Sequence, residues 1–249
     1  MSIEETLNII TITKDDPQGL FKTVNSTRSL REKFNIRQVI VDSSTNDVKI
    51  KVGNILTKEN NIEYHWQKPS GRSAAFNHGL RLTKSRWVWF LNGGDEVFSG
   101  LDSGVFLELL NKNNSDAIIF QVFYKQSSKT YPHPQMWALW PPVLSWIPHP
   151  ATITRRELYD KYGNFNEKYK IAMDYEFWIR CFSKNVTVDL ISMPIAKFDE
   201  SGISIKSTID TKKEVRRIIC KYFWLFIKKW FNSGKIILKS FKISSNFFK

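Results

Sequence analysis

Residues 87–96, WVWFLNGGDE, constrain this chain more than any other stretch. The five apolar residues 87–91 are too few for a typical helix and rich in aromatics, so they read as a buried strand. That strand must stop at Asn92-Gly93-Gly94, where two glycines permit a tight turn and the close approach of a ligand. Asp95 and Glu96 follow at once. A buried strand that delivers carboxylates to its C-terminal end is how an open α/β sheet builds a ligand site. A surface turn that carries acidic residues for solubility is the plainer alternative, and the flanking segments decide between the two.

Those segments alternate. Leu7–Thr13 is apolar and β-branched and reads as a first strand; a turn at 14–19 leads to a helix marked by Leu20, Val24 and Leu30. Residues 36–41 read as a second strand, 51–58 as a helix and 62–66 as a third strand. After the break at Pro69-Ser70-Gly71, residues 72–83 read as a helix with Ala75 and Gly79 on its sheet-facing side. Residues 99–110 read as a helix, and 117–124 as a strand. Strand and helix in alternation predict a parallel, doubly wound sheet. Residues 131–150 carry six prolines and three tryptophans. Such a stretch is too broken for regular structure and too apolar for a free linker, and suits an acceptor-binding wall or lid. Beyond it come a short strand at 151–154, helices at 155–162 and 174–183, and a last strand at 186–191.

The chain has 249 residues, enough for one α/β domain with additions, and its 42% hydrophobic content can bury a sizeable core. Its formal charge of +13 is unevenly spread. Residues 212–249 hold eleven Lys or Arg and one acid, Glu214, a net +10 that leaves +3 for the rest. A nucleic-acid binder should carry its charge along the folded body, so that partner is not expected. Two cysteines, Cys181 and Cys220, make no disulfide framework. The N-terminus lacks a basic region followed by an apolar run, and no apolar run reaches the roughly 20 residues that span a bilayer. The expected location is the cytoplasm.

Three acids fall where such a sheet places a site. Asp42 follows the second strand, Asp95 the Trp87 strand, and Asp174 opens a helix beyond the proline-rich loop. Asp42 alone suits an Asx turn, and Asp174 alone suits a helix N-terminus. Together with residues 69–95 (PSGRSAAFNHGLRLTKSRWVWFLNGGD) and 149–180 (HPATITRRELYDKYGNFNEKYKIAMDYEFWIR), the pattern resembles the family 2 glycosyltransferases of the GT-A fold, of the bacterial surface-polysaccharide type. The resemblance spans about residues 7–204. It implies a Rossmann-like, doubly wound mixed sheet over residues 1–205, followed by a separate segment at 206–249.

The resemblance also implies roles. Thr11 and Asp42 would hold the nucleotide, Arg72 and Asn77 would lie beside nucleotide and sugar, and His149 would sit near the diphosphate or the acceptor. Asn92-Gly93-Gly94-Asp95 stands at the family's DxD-type motif with only its last position acidic, so Asp95 alone would supply a carboxylate to Mg²⁺ or Mn²⁺. Asp174 matches the catalytic base, with Glu176 as the fallback. A departing sugar diphosphate needs its charge neutralised, and an acceptor hydroxyl needs a carboxylate to take its proton. The implied reaction is inverting transfer from a nucleotide-diphosphate sugar, UDP-sugar favoured, to a glycan or lipid-linked glycan. Alternatives are a sugar nucleotidyltransferase, which wants a better phosphate loop than residues 14–17, an inactive transferase-like protein, and a basic membrane-binding protein.

In the tail, Val215, Ile219, Tyr222, Phe226 and Trp230 recur at helical spacing opposite Lys213, Arg217, Lys221 and Lys228. A helix of this kind suits an anionic membrane surface, although a helix packed on the body has the same signature. The expectation is a peripheral protein on the inner face of the membrane whose body folds without its tail.

Overall fold

The computed structural model describes residues 6–57, 59–132, 147–184, 186–198, 208–232 and 241–243. Its core is a mixed sheet with helices on both faces. β1 (Leu7–Thr13), α1 (Pro17–Phe34), β2 (Arg37–Asp42), α2 (Asn46–Leu56), β3 (Ile62–Trp66), α3 (Arg72–Leu82) and β4 (Trp87–Asn92) alternate as expected. These strands are parallel: β1 lies between β2 and β4, and β3 edges β2. After β5 (Glu96–Val97) and α4 (Ser103–Lys112), β6 (Ala117–Tyr124) and the short β7 (Lys129–Tyr131) form an antiparallel pair. A short 3-10 helix, His149–Ala151, leads into β8 (Thr152–Arg155), α5 (Glu157–Tyr162), α6 (Met173–Phe182), β9 (Val188–Phe198), α7 (Thr208–Asn232) and β10 (Phe241–Ile243). The strand order is β10-β9-β6-β8-β4-β1-β2-β3. On this path β8 alone runs opposite, wedged between β4 and β6. The sheet is therefore mixed, not parallel throughout.

Alternation along each strand divides the apolar residues between two cores. Ile10, Ile12, Val39, Val41, Val88 and Phe90 pack with α3, α5 and α6, whereas Ile9, Trp87, Trp89 and Leu91 pack with Phe106 and Leu110 of α4. Each such side chain stabilises the fold by about 1.5–3 kcal/mol when fully buried. The indole N–H groups are satisfied within the core, Trp87 Nε1 by Leu110 O at 3.0 Å and Trp89 Nε1 by Pro150 O at 2.8 Å. Gly79 lets α3 ride directly on β1, since a Cβ there would come within 2.4 Å of Ile10 Cγ2.

Several boundaries moved. α2 starts at Asn46, five residues before the expected 51, because Asn46 and Asp47 are good first-turn residues. α4 starts late, at the Asp102 cap, whose Oδ1 accepts from Gly104 N and Val105 N; residues 96–97 pair with β9 instead. β9 runs eleven residues, well past the expected 191, because it pairs with the whole length of β6 through register shifts near Gln121.

The tail differs most. The first half of α7 is packed, with Ile218 and Tyr222 buried against Ala172, Tyr175 and Ile179 and with Val215 beside them. The face expected to meet a membrane is thus largely turned to α6. Phe226 and Trp230 lie outside the residues whose side chains are described. What α7 turns outward are Lys212, Lys213, Arg216 and Arg217, together with Phe223, 49% exposed, and Trp224, 74% exposed.

Candidate active site

The strands of the parallel half end at one edge of the sheet, and the end of β4 borders a cleft. The turn after β4 is tied down by backbone and by α1. Gly93 N donates to Ile12 O (2.9 Å), Gly94 N to Thr23 Oγ1 (2.9 Å), and Thr23 Oγ1 to Asp95 O (2.6 Å). Gly94 takes φ +107°, a conformation that favours glycine. The glycines thus serve a turn pressed onto Thr13 and α1. Asp95, 5% exposed, folds back so that Oδ2 accepts from Asn92 N at 2.9 Å and Asn92 Nδ2 at 3.0 Å.

A cavity of about 170 Å³ lies next to this turn. Arg72 from the first turn of α3, Asn92 from the end of β4, His149 from the 3-10 helix and Asp174 from the first turn of α6 all line it. Phe76, Tyr124, Tyr131 and Phe198 add an aromatic wall. Four chain segments far apart in sequence therefore bring a guanidinium, an amide, an imidazole and a carboxylate to one space. Asp174 Oδ1 accepts from Tyr175 N at 2.8 Å. The His149 ring stacks on Phe90 (5.5 Å, 23°) and tilts against Phe76 (5.1 Å). Its Nε2 is buried and finds no partner among the described residues. Burial pushes the His149 pKa down; Asp174 raises it in part, and Arg72 lowers it further. The imidazole is therefore held neutral. A buried polar atom without a partner costs about 1–3 kcal/mol, a cost that a bound ligand can remove.

The other expected site residues sit elsewhere. Thr11 is buried inside the sheet, two residues short of the end of β1, where its Oγ1 accepts from Gln38 Nε2 at 2.9 Å. Thr13 is the residue at the strand end. Asn77 is also buried: Nδ2 donates to Phe165 O (2.9 Å) and Glu167 Oε1 (3.0 Å), and Oδ1 accepts from Phe165 N (3.0 Å). That side chain clasps the loop before α6 and does not line the cleft. Asp42 stands at the correct strand end, where Oδ1 accepts from Ser44 N (2.8 Å) as an Asx turn and Oδ2 from Tyr64 OH (2.8 Å). Burial chiefly, and the Asp42 bond, push the Tyr64 phenol well up, so it stays a donor to that carboxylate.

Glu176 turns away from Asp174, as i and i+2 on a helix must. It is 1% exposed, paired with Arg180 at 3.0 Å, and its Oε1 accepts from Tyr222 OH of α7. Its surroundings are those of a structural ion pair, not of a base facing substrate.

For a divalent ion the donor set is thin. No cluster of three His, Cys, Asp or Glu occurs among the described residues. An ion carried on a sugar diphosphate, however, asks the protein for only one or two carboxylates, and Asp95 is the one this turn offers, with Oδ2 already accepting twice from Asn92. His65 and His78 are accounted for by Glu63 (2.6 Å) and Gln67 (2.8 Å). Missed in the sequence were the aromatic wall and Glu214, whose carboxylate reaches the start of α6. Apart from Phe76 of α3, the wall residues sit on β6, β7 and β9 and come together only through the pairing of those strands. Glu214 was visible as the lone acid of a basic tail.

Known proteins share this architecture. An uncharacterized glycosyltransferase of Mycobacterium tuberculosis is 25% identical over 82% of this chain and 78% of its own length. A PGL/p-HBAD biosynthesis glycosyltransferase of Mycobacterium bovis is 22% identical over 72% of this chain and 71% of its own. Among solved structures, S. aureus TarS 1–349 in complex with UDP-GlcNAc superposes with a TM-score of 0.66 at 17% identity, covering 86% of this chain and 65% of that one. This chain thus spans somewhat under two thirds of TarS 1–349, and the likeness is one of GT-A fold. The model of glycosyl transferase family 2 matches residues 8–186, most of the chain and, Leu7 apart, the whole of β1 to β8, so the protein is a glycosyltransferase of family 2.

Proposed function

We propose that this chain is an inverting transferase that moves a sugar from a nucleotide-diphosphate donor, a UDP-sugar by preference, to a hydroxyl of a glycan or lipid-linked glycan. The observation that carries the reading is the convergence of Asp174, Arg72 and His149 on one cleft beside the Asn92–Asp95 turn. Asp174 takes the proton of the attacking hydroxyl as the new bond forms. Arg72 balances negative charge on the donor, and the neutral His149 offers Nε2 to a substrate oxygen or hydroxyl. Asp95 would hold Mg²⁺ or Mn²⁺, which would supply the positive charge that a departing diphosphate needs. UDP-GlcNAc bound to TarS supports a uridine donor, and the aromatic wall suits the apolar face of an acceptor sugar. The outward basic residues of α7 with Phe223 and Trp224 support docking on an anionic membrane, where lipid-linked acceptors reside.

The test is UDP release from a panel of UDP-sugars by the parent and by Asp174→Asn, with donor affinity read by calorimetry. Asp174→Asn keeps its shape and loses basicity, so turnover should fall roughly 10²–10⁴-fold at unchanged affinity. Equal turnover by the two proteins removes Asp174 from the role. Donor binding without turnover in the parent favours a transferase-like binding protein instead.

A further inference from the structure

Glu214 is the single acid among the eleven basic residues of 212–249. From α7 its carboxylate closes over the turn that leads into α6. Oε1 accepts from Lys170 N (2.9 Å), and Oε2 accepts from Ile171 N (2.9 Å) and Ala172 N (2.8 Å). Helix starts leave N–H groups without intrahelical partners, and a local side chain at the N-cap ordinarily accepts from one of them. The N-cap of α6 is Ala172, which has no side chain for the task. Glu214, from another helix, instead accepts from the N–H of the N-cap residue and of the two residues before it, which fixes the entry into α6. Burial alone would push the Glu214 carboxyl up, but the three N–H donors, Ala172 foremost, and the charge of Arg72 hold it below the ordinary carboxylate range. The group is an anion at neutral pH.

The same turn is held from the opposite side by the start of α3. Ser73 Oγ donates to Tyr169 O at 2.8 Å, and Arg72 Nη2 reaches Lys170 O at 3.4 Å. Two residues past the capped Ala172 stands Asp174. A second latch lies one helical turn on, where Tyr222 of α7 donates to Glu176. Seating α7 and aiming Asp174 are therefore one structural event.

We propose that Glu214 is a positioning residue for sugar transfer, fixing the 169–173 turn and with it the direction from which Asp174 meets the acceptor hydroxyl. This rests on Asp174 being the base. A cap built only for stability would leave turnover unchanged at temperatures where the chain is folded; a positioning cap would not.

The test uses the full chain and whichever of UDP-GlcNAc, UDP-glucose and UDP-galactose the parent turns over fastest, with water as acceptor. Water attacks the anomeric carbon, the bond from that carbon to the β-phosphate oxygen breaks, UDP leaves, and Asp174 takes the proton. Glu214→Ala should lower kcat at least 10-fold with KM for the donor changed less than 2-fold, and should speed amide exchange in residues 169–176. Glu214→Gln keeps one acceptor oxygen and should lie between Glu214→Ala and the parent, which serves if Glu214→Ala does not fold. Leu110→Ala, on the buried face of α4, is the control: it should lower Tm without touching kcat. Overturning results are a kcat within 2-fold of the parent for a folded Glu214→Ala, or for Glu214→Gln where Glu214→Ala does not fold, an equal kcat loss in Leu110→Ala, or a parent that releases no UDP. If Asp174→Asn is slow while both Glu214 variants are fast, the inference falls and the base stands. If the Glu214 variants are slow while Asp174→Asn is fast, the base reading falls, and positioning of Asp174 falls with it.

Discussion

His149 shows how the burial of one residue ties stability to pH. Its ring is packed among Phe76, Phe90 and Phe165, and burial holds it neutral below its ordinary pKa. The unfolded chain binds a proton near pH 6.5, whereas the folded chain refuses it until the pH reaches the lowered value. Between those two values the unfolded state holds more protons, so stability falls as the pH falls, by up to about 1.4 kcal/mol per pH unit for one such group. His78, also lowered by burial, adds with the same sign. His149→Phe suits the ring cluster and removes one of the two groups. Its denaturant midpoint should change less than the parent's between pH 6.5 and 5, and its UDP release should slow because Nε2 is gone. An unchanged slope would mean that His149 is charged in the folded state. Asp95 allows a second prediction. Asp95→Ala should abolish any Mn²⁺-dependent gain in donor affinity, read by calorimetry with and without the ion. Because Oδ2 also ties the Asn92 turn, it should cost about 1–3 kcal/mol of stability as well. Equal Mn²⁺ response in variant and parent would remove the carboxylate from the metal. At this scale the sequence marked the residue types well and their depth poorly. Arg72, His149 and Asp174 reach one cleft, but Thr11 and Asn77 sit one layer below it. Strand periodicity tells which face a side chain takes, not how far from the strand end a ligand can reach.

Among elements, strands were legible because each is a short apolar run closed by polar turn residues, and β1, β3 and β6 match their expected ranges. Ends that depend on a partner were not. β9 extends past the expected 191 because β6 offers it an edge, and α4 starts at Asp102 because its carboxylate caps Gly104 and Val105. The contact of α3 with β1 was foreshadowed by Gly79, and it can be measured. A Cβ at 79 would meet Ile10 Cγ2 at 2.4 Å, so helix or strand must shift. Alanine normally favours a helix over glycine by about 0.5–1 kcal/mol, whereas overpacking a tight core costs about 1–3 kcal/mol. The second effect wins here. Gly79→Ala should lower the urea midpoint with the slope m unchanged, and a rise in the midpoint would mean that α3 can move off the sheet at no cost.

For the whole molecule, the open question is what the basic tail is for, and the packing of α7 changes how it is asked. Deleting the tail exposes Ala172, Tyr175 and Ile179, leaves Glu176 facing Arg180 without Tyr222, and removes the Glu214 cap. A chain ended before α7 should therefore lose stability and turnover, contrary to the expectation of an independent body, and its failure to bind lipid would mean nothing. The outer face must be changed instead. Phe223 and Trp224 are exposed neighbours whose rings meet at 5.9 Å, flanked by Arg216 and Arg217 one to two turns back. Each basic residue near an anionic surface contributes about 1 kcal/mol, and buried aromatic area adds to it. Among the described residues neither ring belongs to the cluster that seats α7 on α6, so with both replaced by Ala, Tm and UDP release in solution should hold. Sedimentation with phosphatidylserine-containing vesicles should fall several-fold, and the remainder should be released by high salt, because charge alone then holds the protein. The parent should resist the same salt in part. If the double variant sediments as well as the parent, the outward face of α7 is not what meets the lipid.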